Sequence, residues 1–279
     1  MKKIGVIDYY LDQYHFENYP TWIKEFSDGE MEIAYAWAKT EHEGGKTNAV
    51  CAAEQGVELL GSIEEVIEKS DFLIVMSPDN PEQHEELCEL PLASGKLTYV
   101  DKTFATSREK AINIINMAKK GNTPFFSTSA LRFSAEYENI KKEGIEFIAS
   151  RGPGEFSNYG IHQVEPLICI MGIEIEKIMY VGTKNTDSFI FKYLDGRTAT
   201  MAQLGWECDF GMAINYNDNH AITIQGAADF YPRFIKELVG FFRDGKPRVT
   251  PEETLEVMTI LEYGKKAIEN PGTWVELPR

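Results

Sequence analysis

The first part of the chain, up to residue 126, alternates short apolar runs with longer amphipathic stretches. The apolar runs predict strands buried on both faces, and the amphipathic stretches predict helices between them. Ser62, with Glu65 three residues later, forms a capping box for one of these helices. The predicted strands are 4–7, 31–37, 57–60, 71–76, 97–100 and 125–126, and the predicted helices are 19–27, 47–55, 62–69, 81–90 and 107–120. This order predicts an open, doubly wound parallel sheet with helices on both faces.

The pattern changes in the second half, where long β-prone runs follow one another with turns between them. Asp195-Gly196 is a strong signal for one of these turns, and Thr250 with Pro251 marks the start of the last helix. The predicted strands are 175–181, 188–193, 199–204, 210–216 and 221–225, and the predicted helices are 163–171, 232–244 and 251–270. We therefore expect a second, α+β domain with a mostly antiparallel open sheet. Its boundary near residues 127–130 gives domains 1–127 and 128–279.

Composition narrows the classes of partner. The 279 residues carry 28 Lys and Arg against 44 Asp and Glu, a net charge of -16, which disfavours nucleic acid and anionic membrane surfaces. The four cysteines contain no CxxC pair, so neither a zinc framework nor a disulfide set is indicated. No apolar run reaches the ~20 residues of a spanning helix, and the start lacks the apolar core of a signal peptide. We expect a cytoplasmic protein with a small-molecule partner.

Open α/β sheets bind ligands beyond the carboxyl ends of their strands, so the residues after each predicted strand are candidates for function. Lys102 follows the fifth strand, and Ser77-Pro78-Asp79-Asn80 follows the fourth. A solvated lysine and a plain turn with a helix cap are the structural alternatives. His84 and Cys88 lie i, i+4 on the next helix, but without further ligands in sight no metal site is expected.

The second domain offers a different set of candidates. His162 follows Gly160 just before a predicted helix, which makes it a candidate general acid or base, although a lone histidine is more often structural. Arg132 is a candidate for binding an anionic substrate group, or for an interdomain salt bridge. Trp206 and Trp274 are candidates for stacking on a sugar, or for core and interface positions.

In their order along the chain, these motifs resemble those of the Gfo/Idh/MocA oxidoreductases, the relatives of glucose-fructose oxidoreductase and inositol dehydrogenase. The resemblance runs from Ile4 to the final helix. Its motifs are Ser77-Pro78 with His84, Ala93-Ser94-Gly95-Lys96, Val100-Asp101-Lys102-Thr103, Ala130-Leu131-Arg132-Phe133 and Asn158-Tyr159-Gly160-Ile161-His162. It implies an N-terminal Rossmann-type domain, and a C-terminal α/β domain whose open sheet often joins two subunits as a homodimer or higher homo-oligomer. It also implies hydride transfer between NAD or NADP and a sugar, polyol or related hydroxyl compound.

The resemblance assigns roles to individual positions. Lys102 matches the lysine of the Glu-Lys-Pro motif, near the nicotinamide and the reacting hydroxyl, and His162 matches the histidine that handles the hydroxyl proton. Asn158 stands where many members have aspartate, which makes it the third catalytic candidate. Substrate binding is implied for Arg132, Lys102 and His162. Cofactor binding is implied for Gly5, Asp8, Tyr9, Trp37, Ser77, Pro78, Asn80, Asp101 and Lys102.

The chain also departs from the family pattern where the dinucleotide is held. The GxGxxG motif is missing, since no glycine follows Gly5 until Gly29, and Asp8 and Asp12 add negative charge near an anionic ligand. The second strand ends without the carboxylate that normally holds the adenosine ribose. Two interpretations follow. In the first, the chain is an oxidoreductase with an altered cofactor cradle, in which Lys39 or His42 holds the adenosine side. In the second, it is a non-catalytic member that has lost dinucleotide binding and takes a sugar-like ligand in the interdomain cleft.

Overall fold

The computed structural model describes all 279 residues, which form two compact units. The first comprises Met1–Thr128 and Phe234–Thr254, and the second comprises Ser129–Arg233 and Leu255–Arg279. The sequence had assigned every residue after 127 to the second domain, so it did not foresee the return of 234–254 to the first unit. Aromatic packing explains the return, because Phe242 stacks on Phe72 at 4.9 Å between ring centroids and Phe241 meets Phe126 edge to face at 5.1 Å.

The first unit contains the predicted parallel sheet, which is confirmed. Its six strands are β1 (Lys2–Asp8), β2 (Met31–Ala38), β3 (Glu58–Leu59), β4 (Phe72–Val75), β5 (Thr98–Val100) and β6 (Phe125–Phe126). They lie in the order β3-β2-β1-β4-β5-β6, and every pair is parallel. The strand order reverses between β1 and β4. In a doubly wound sheet, this reversal is the place where the carboxyl ends open toward a ligand.

The helices of this unit are α1 (Tyr14–Phe26), α2 (Asn48–Gln55), α3 (Ile63–Lys69), α4 (His84–Leu87), α5 (Glu89–Ala93) and α6 (Arg108–Gly121). The cap at Ser62 is confirmed, because its side chain accepts a hydrogen bond from the Glu65 amide, whereas the Glu65 carboxylate accepts from the Gly61 amide and does not complete the box. The helix predicted over 81–90 is wrong as a single element. A 3-10 turn, Pro81–Gln83, precedes α4, and α5 follows it. Pro91 has no N–H to donate to the preceding turn, which favours the break.

The second unit contains a sheet of seven strands in the order β12-β11-β7-β10-β9-β8-β13. The strands are β7 (Ile145–Pro153), β8 (Ile175–Tyr180), β9 (Ser188–Tyr193), β10 (Thr198–Leu204), β11 (Gly211–Tyr216), β12 (Ala221–Ile224) and β13 (Trp274–Glu276). All pairs are antiparallel except β7 with β10, so the mostly antiparallel sheet is confirmed. The sequence missed β7, because its end at Gly152-Pro153 has the composition of a loop.

The remaining helices are α7 (Ala135–Glu138), α8 (Phe156–Met171), α9 (Phe230–Asp244) and α10 (Pro251–Ile268). Helix α8 begins seven residues before the predicted start at 163, so Asn158 and His162 lie inside it and not ahead of it. Gly160 lies inside the helix and is required by packing, because a Cβ there would lie 2.6 Å from a ring carbon of Phe156. No helix of the structure has both the length and the apolar character needed to cross a membrane.

Candidate functional site

The carboxyl ends of β1, β4 and β5 are neighbours in the first sheet, and the residues that follow them are buried and polar. Asp8, Ser77 and Asp101 are each only 1% exposed. Burial raises the pKa of Asp8 well above its usual range, against the lowering effect of hydrogen bonds from Gln13 and the Tyr9 amide. Burial also acts to raise the pKa of Asp101, but the hydrogen bond from His15 and the charges of His15, Lys102 and His84 together outweigh it, and the pKa of Asp101 is lowered.

Lys102 lies directly after β5, where the sequence placed it. Its ammonium lies 3.4 Å from the Pro78 carbonyl, and its amide donates to an Asp101 carboxylate oxygen at 2.8 Å. The Lys102-Thr103 peptide bond is cis. The Ser77 hydroxyl donates to the Asn80 carbonyl at 2.8 Å and closes the turn after β4. The structure therefore brings these five predicted residues together at one edge of the sheet.

A histidine on α1 joins this edge, and sequence reasoning missed it. His15 Nδ1 lies 2.6 Å from a carboxylate oxygen of Asp101, and its ring stacks on Tyr19 at 5.1 Å. The Tyr99 hydroxyl donates to the other oxygen of Asp101 at 3.3 Å. His15 and Asp101 are 86 positions apart, and nothing local in the sequence marks them as partners.

The segment between β1 and α1, residues 9–13, is held by side-chain oxygens of the protein itself. Three backbone amides that face this turn each donate to a side chain from within the first unit. The pairs are Tyr9 to Asp8 at 2.7 Å, Leu11 to Asn48 at 2.8 Å, and His15 to Gln13 at 2.6 Å. Gln13 also donates its amide nitrogen to the second oxygen of Asp8 at 2.9 Å, which joins two of these contacts into one network.

The outer side of the same segment packs against the residues that follow β2. The Tyr10 ring stacks on His42 with centroids 4.4 Å apart and planes 6° apart. Asp12 lies 2.9 Å from His42 Nδ1 and accepts from the Lys46 amide at 2.9 Å; the first of these contacts contributes most to lowering the pKa of Asp12. Lys39, the other residue considered for the adenosine side, bonds Glu86 at 2.6 Å.

These residues do not fit a dinucleotide in its usual place. The GxGxxG pattern, started where β1 ends, calls for glycine at positions 8, 10 and 13, which here are Asp8, Tyr10 and Gln13. Their side chains occupy the positions that glycines leave open for a pyrophosphate, and the amides of Tyr9, Leu11 and His15 already donate to side-chain oxygens. Asp12, whose pKa is lowered by its contact with His42, adds a negative charge where the ligand is anionic.

Two further residues of the predicted cofactor set lie apart from this turn. Gly5 is buried within β1, and a Cβ there would come within 2.3 Å of the Ser70 hydroxyl and 2.4 Å of a Val66 methyl. Its missing side chain therefore allows α3 to approach the strand. Trp37 is half-buried near the end of β2. Cofactor roles for both residues stay predictions.

In the second unit, His162 is fixed by a serine that precedes α8 by many residues. Its Nδ1 lies 2.7 Å from the Ser129 hydroxyl oxygen, which also accepts from the Leu131 amide at 3.3 Å. A serine hydroxyl both donates and accepts, so Ser129 is compatible with either tautomer of the imidazole. Asn158 lies one turn earlier on α8 and is exposed. The helix thereby places Asn158 and His162 on one face.

Two aromatic rings contact this histidine, and a third ring packs on one of them. Tyr159 meets His162 edge to face at 5.2 Å, and Phe210 meets it at 5.8 Å. Trp206 packs edge to face on Tyr159 at 4.9 Å, yet it remains 64% exposed. Gly154, at φ +82°, makes this possible: a Cβ there would lie 3.0 Å from both Trp206 and Tyr159. We call Trp206, Tyr159 and Phe210 the aromatic wall.

Arg132 is buried and paired within the second unit. Its guanidinium donates to Glu165 at 2.9 Å, and the two residues are 8% and 2% exposed. Glu165 lies on α8, one turn after His162. The sequence had considered an interdomain partner for Arg132, whereas this partner belongs to the same unit.

Comparison with known proteins identifies relatives by structure alone. No family model matches the chain, and no curated protein matches it. GenD2 from gentamicin A biosynthesis, solved in complex with NAD, is similar with a TM-score of 0.80 and 12% identity over 100% of this chain and 97% of that one. An oxidoreductase from Thermotoga maritima has a TM-score of 0.78 and 14% identity, covering 99% of this chain and 98% of that one. A scyllo-inositol dehydrogenase from Lactobacillus casei has a TM-score of 0.76 and 15% identity, with the same coverage of 99% and 98%. At these identities the likeness establishes the fold.

Proposed function

We propose that the chain is an oxidoreductase of the Gfo/Idh/MocA kind that binds a sugar, polyol or related hydroxyl compound and moves its hydroxyl proton at His162. The hydrogen bond of 2.7 Å between His162 and Ser129, beside an exposed aromatic wall, carries the proposal. The fold supports the class, because proteins with this fold along their whole length include a scyllo-inositol dehydrogenase and an NAD complex.

The chemistry assigned to His162 is general acid–base catalysis. A hydroxyl carbon that loses hydride develops positive charge, and its oxygen must give up a proton as the carbonyl forms. A neutral imidazole held in place by Ser129 is suited to accept that proton. Asn158 supplies an uncharged amide one turn away, which can orient a hydroxyl but cannot itself take the proton. A catalytic role for Lys102, which lies in the first unit, stays a prediction.

The aromatic wall supports a ligand with an apolar ring face. In the edge-to-face contact with Tyr159, at least one face of the Trp206 indole is left uncovered by that ring, in agreement with its 64% exposure. The C–H face of a sugar or cyclitol stacks on such a surface, while its hydroxyls bond neighbouring polar groups. We propose that Trp206 and Tyr159 take that part of the ligand.

A second candidate function is a non-catalytic protein that binds the same class of ligand without a dinucleotide. The occupied amides of the β1–α1 segment favour it, because NAD or NADP is the hydride carrier of the family and does not fit its usual cradle here. We therefore assign no step of the reaction to the dinucleotide. Cytoplasmic location and the absence of nucleic acid and membrane partners stay predictions.

Calorimetric titration of the full chain with a panel of cyclitols and hexoses, myo-inositol and glucose among them, tests ligand binding. Trp206→Ala should weaken binding by about three- to tenfold, as expected for the loss of one stacking contact. Trp274→Ala is the matched control, since Trp274 lies on β13 with Lys177 over its ring and should leave affinity unchanged. Equal affinity of the wild type and Trp206→Ala would refute this site.

Turnover with NAD or NADP on any ligand found, followed as formation of NADH or NADPH, separates the two candidates. For the oxidoreductase, His162→Ala should lower kcat by about 10²- to 10⁴-fold, the contribution of a positioned acid–base group. Ligand binding with no turnover by the wild type would favour the non-catalytic candidate. Turnover unaffected by His162→Ala would refute the role given to the histidine.

The resemblance also leads us to propose self-association through the second sheet. Alternate residues along its strands remain partly exposed, among them Phe147, Ile190 and Thr200, while their neighbours are buried. An open sheet face of this kind is suited to pairing with a second copy of the chain, at about 800 Å² per partner. Sedimentation velocity tests the proposal, and a monodisperse monomer would refute it.

A further inference from the structure

The β1–α1 segment, residues 9–13, lies where a parallel sheet of this topology normally receives the pyrophosphate of a dinucleotide. We infer that this segment is closed to a pyrophosphate, because oxygens of Asp8, Asn48 and Gln13 occupy the amides that would bind it. The inference rests on the proposed function, since it concerns how a protein of that kind holds, or does not hold, its cofactor.

Backbone amides of the segment and of the start of α1 already have hydrogen-bond partners. A pyrophosphate is bound at such a turn by backbone N–H groups that have no partner of their own. Here the N–H groups of Tyr9, Leu11 and His15 donate to side-chain oxygens at 2.6 to 2.8 Å. The Gln13 N–H donates to the Leu11 carbonyl at 2.8 Å. A ligand gains nothing at these groups unless it first breaks an existing hydrogen bond.

The backbone of the segment is tied down as well. The Lys39 amide donates to the Asp8 carbonyl at 3.1 Å, and the Thr40 amide donates to the Tyr9 carbonyl at 2.9 Å. These bonds continue the β1–β2 ladder beyond the end of β1. The turn cannot open toward a ligand without breaking the ladder, so it is preformed in its closed state.

Side chains and charge complete the closure. Tyr10, which stands at the position of the second glycine, stacks on His42 with ring centroids 4.4 Å apart. Moving the Tyr10 ring would expose both rings to solvent. The Asp12 carboxylate lies 2.9 Å from His42 Nδ1 in the same segment, and a pyrophosphate would bring further negative charge beside it.

Together these features predict weak binding at best. Displacing three internal hydrogen bonds lowers affinity by roughly a hundredfold relative to an open glycine cradle. We expect NADH, NADPH and ADP to bind this segment with a Kd of about 1 mM or weaker, whereas an open cradle with a Kd of about 10 µM would be saturated at that concentration. ADP is included because it carries the adenosine and pyrophosphate without the nicotinamide.

Amide hydrogen exchange, read by mass spectrometry with and without NADH at that concentration, locates any binding. The inference expects peptides covering residues 8–17 to be protected in the free protein and unchanged by NADH. Saturable binding with slower exchange in these peptides would overturn it. Saturable binding that leaves them unchanged would support it, since the pyrophosphate would then lie elsewhere.

A substitution checks the cause of the protection. Gln13→Ala removes the oxygen that holds the His15 amide, so exchange at that amide should become at least about fivefold faster. Glu17→Ala is the control, because Glu17 lies on α1 but contributes no side-chain bond to the segment. Unchanged exchange in Gln13→Ala would overturn the inference. Failure of the proposed function is measured separately, through cyclitol and hexose binding by the Trp206 variant, and does not depend on these results.

Discussion

The buried pair of Arg132 and Glu165 allows a quantitative test of whether Arg132 supports the fold of the second unit. Arg132→Met keeps much of the side-chain volume but removes the guanidinium that donates to Glu165 at 2.9 Å. Glu165 is only 2% exposed, so the variant leaves a buried carboxylate without this cation. Removing one partner of a buried ion pair typically costs about 3–5 kcal/mol.

Urea unfolding followed by fluorescence measures this cost. At a typical m of about 2 kcal/mol/M, a loss of about 4 kcal/mol lowers the transition midpoint by about 2 M. The double variant Arg132→Met with Glu165→Leu removes both charges and should recover most of the loss, because a well-packed apolar pair is often as stable as a buried ion pair. A cost below about 1 kcal/mol for Arg132→Met, or a double variant no more stable than the single one, would refute the reasoning.

Three further predictions concern the first unit. Gly5→Ala should lower stability by about 1–3 kcal/mol in urea unfolding, because its Cβ would meet the Ser70 hydroxyl at 2.3 Å; an unchanged midpoint would contradict the packing role. The pKa of Asp101 is lowered in the folded state, so its ionised form contributes stability above the unfolded pKa of about 3.9, and that contribution is lost as pH falls through the folded value. The stability difference between wild type and Asp101→Asn should therefore be large at neutral pH and shrink in acid, and a difference independent of pH would contradict this. Gln13→Ala should cost about 1 kcal/mol in thermal unfolding through loss of the cap on α1, and an unchanged melting temperature would contradict the cap.

Local patterns in the sequence were enough to predict most of the elements and both sheet types. Alternation of strands and helices predicted the parallel sheet, and the capping box at Ser62 predicted the start of α3, because both depend on residues close together in the chain. Errors arose where packing outweighs local preference. Gly160 has a low helix propensity, yet it lies inside α8. Packing explains the glycine, because a larger residue at this position of the helix would collide with Phe156.

The candidate site divides in the same way. The absence of glycines after β1, and the placement of Lys102 after β5, are readable in the sequence alone. The groups that bond the backbone amides of this segment cannot be predicted from the sequence, because the oxygen that accepts from the Leu11 amide belongs to Asn48, 37 positions away. The same holds for His162, whose partner Ser129 lies 33 positions earlier in the chain.

Sequence by itself therefore determined the succession of elements, the class of each sheet and the departure from the glycine motif. Only the tertiary structure decided that α9 packs with the first unit, that His15 meets Asp101, and that the β1–α1 amides are occupied. The physical reason is the range of the interactions. Backbone propensity and capping act within a few residues, whereas buried polar groups must find partners wherever the fold brings them, and those partners are distant in the chain.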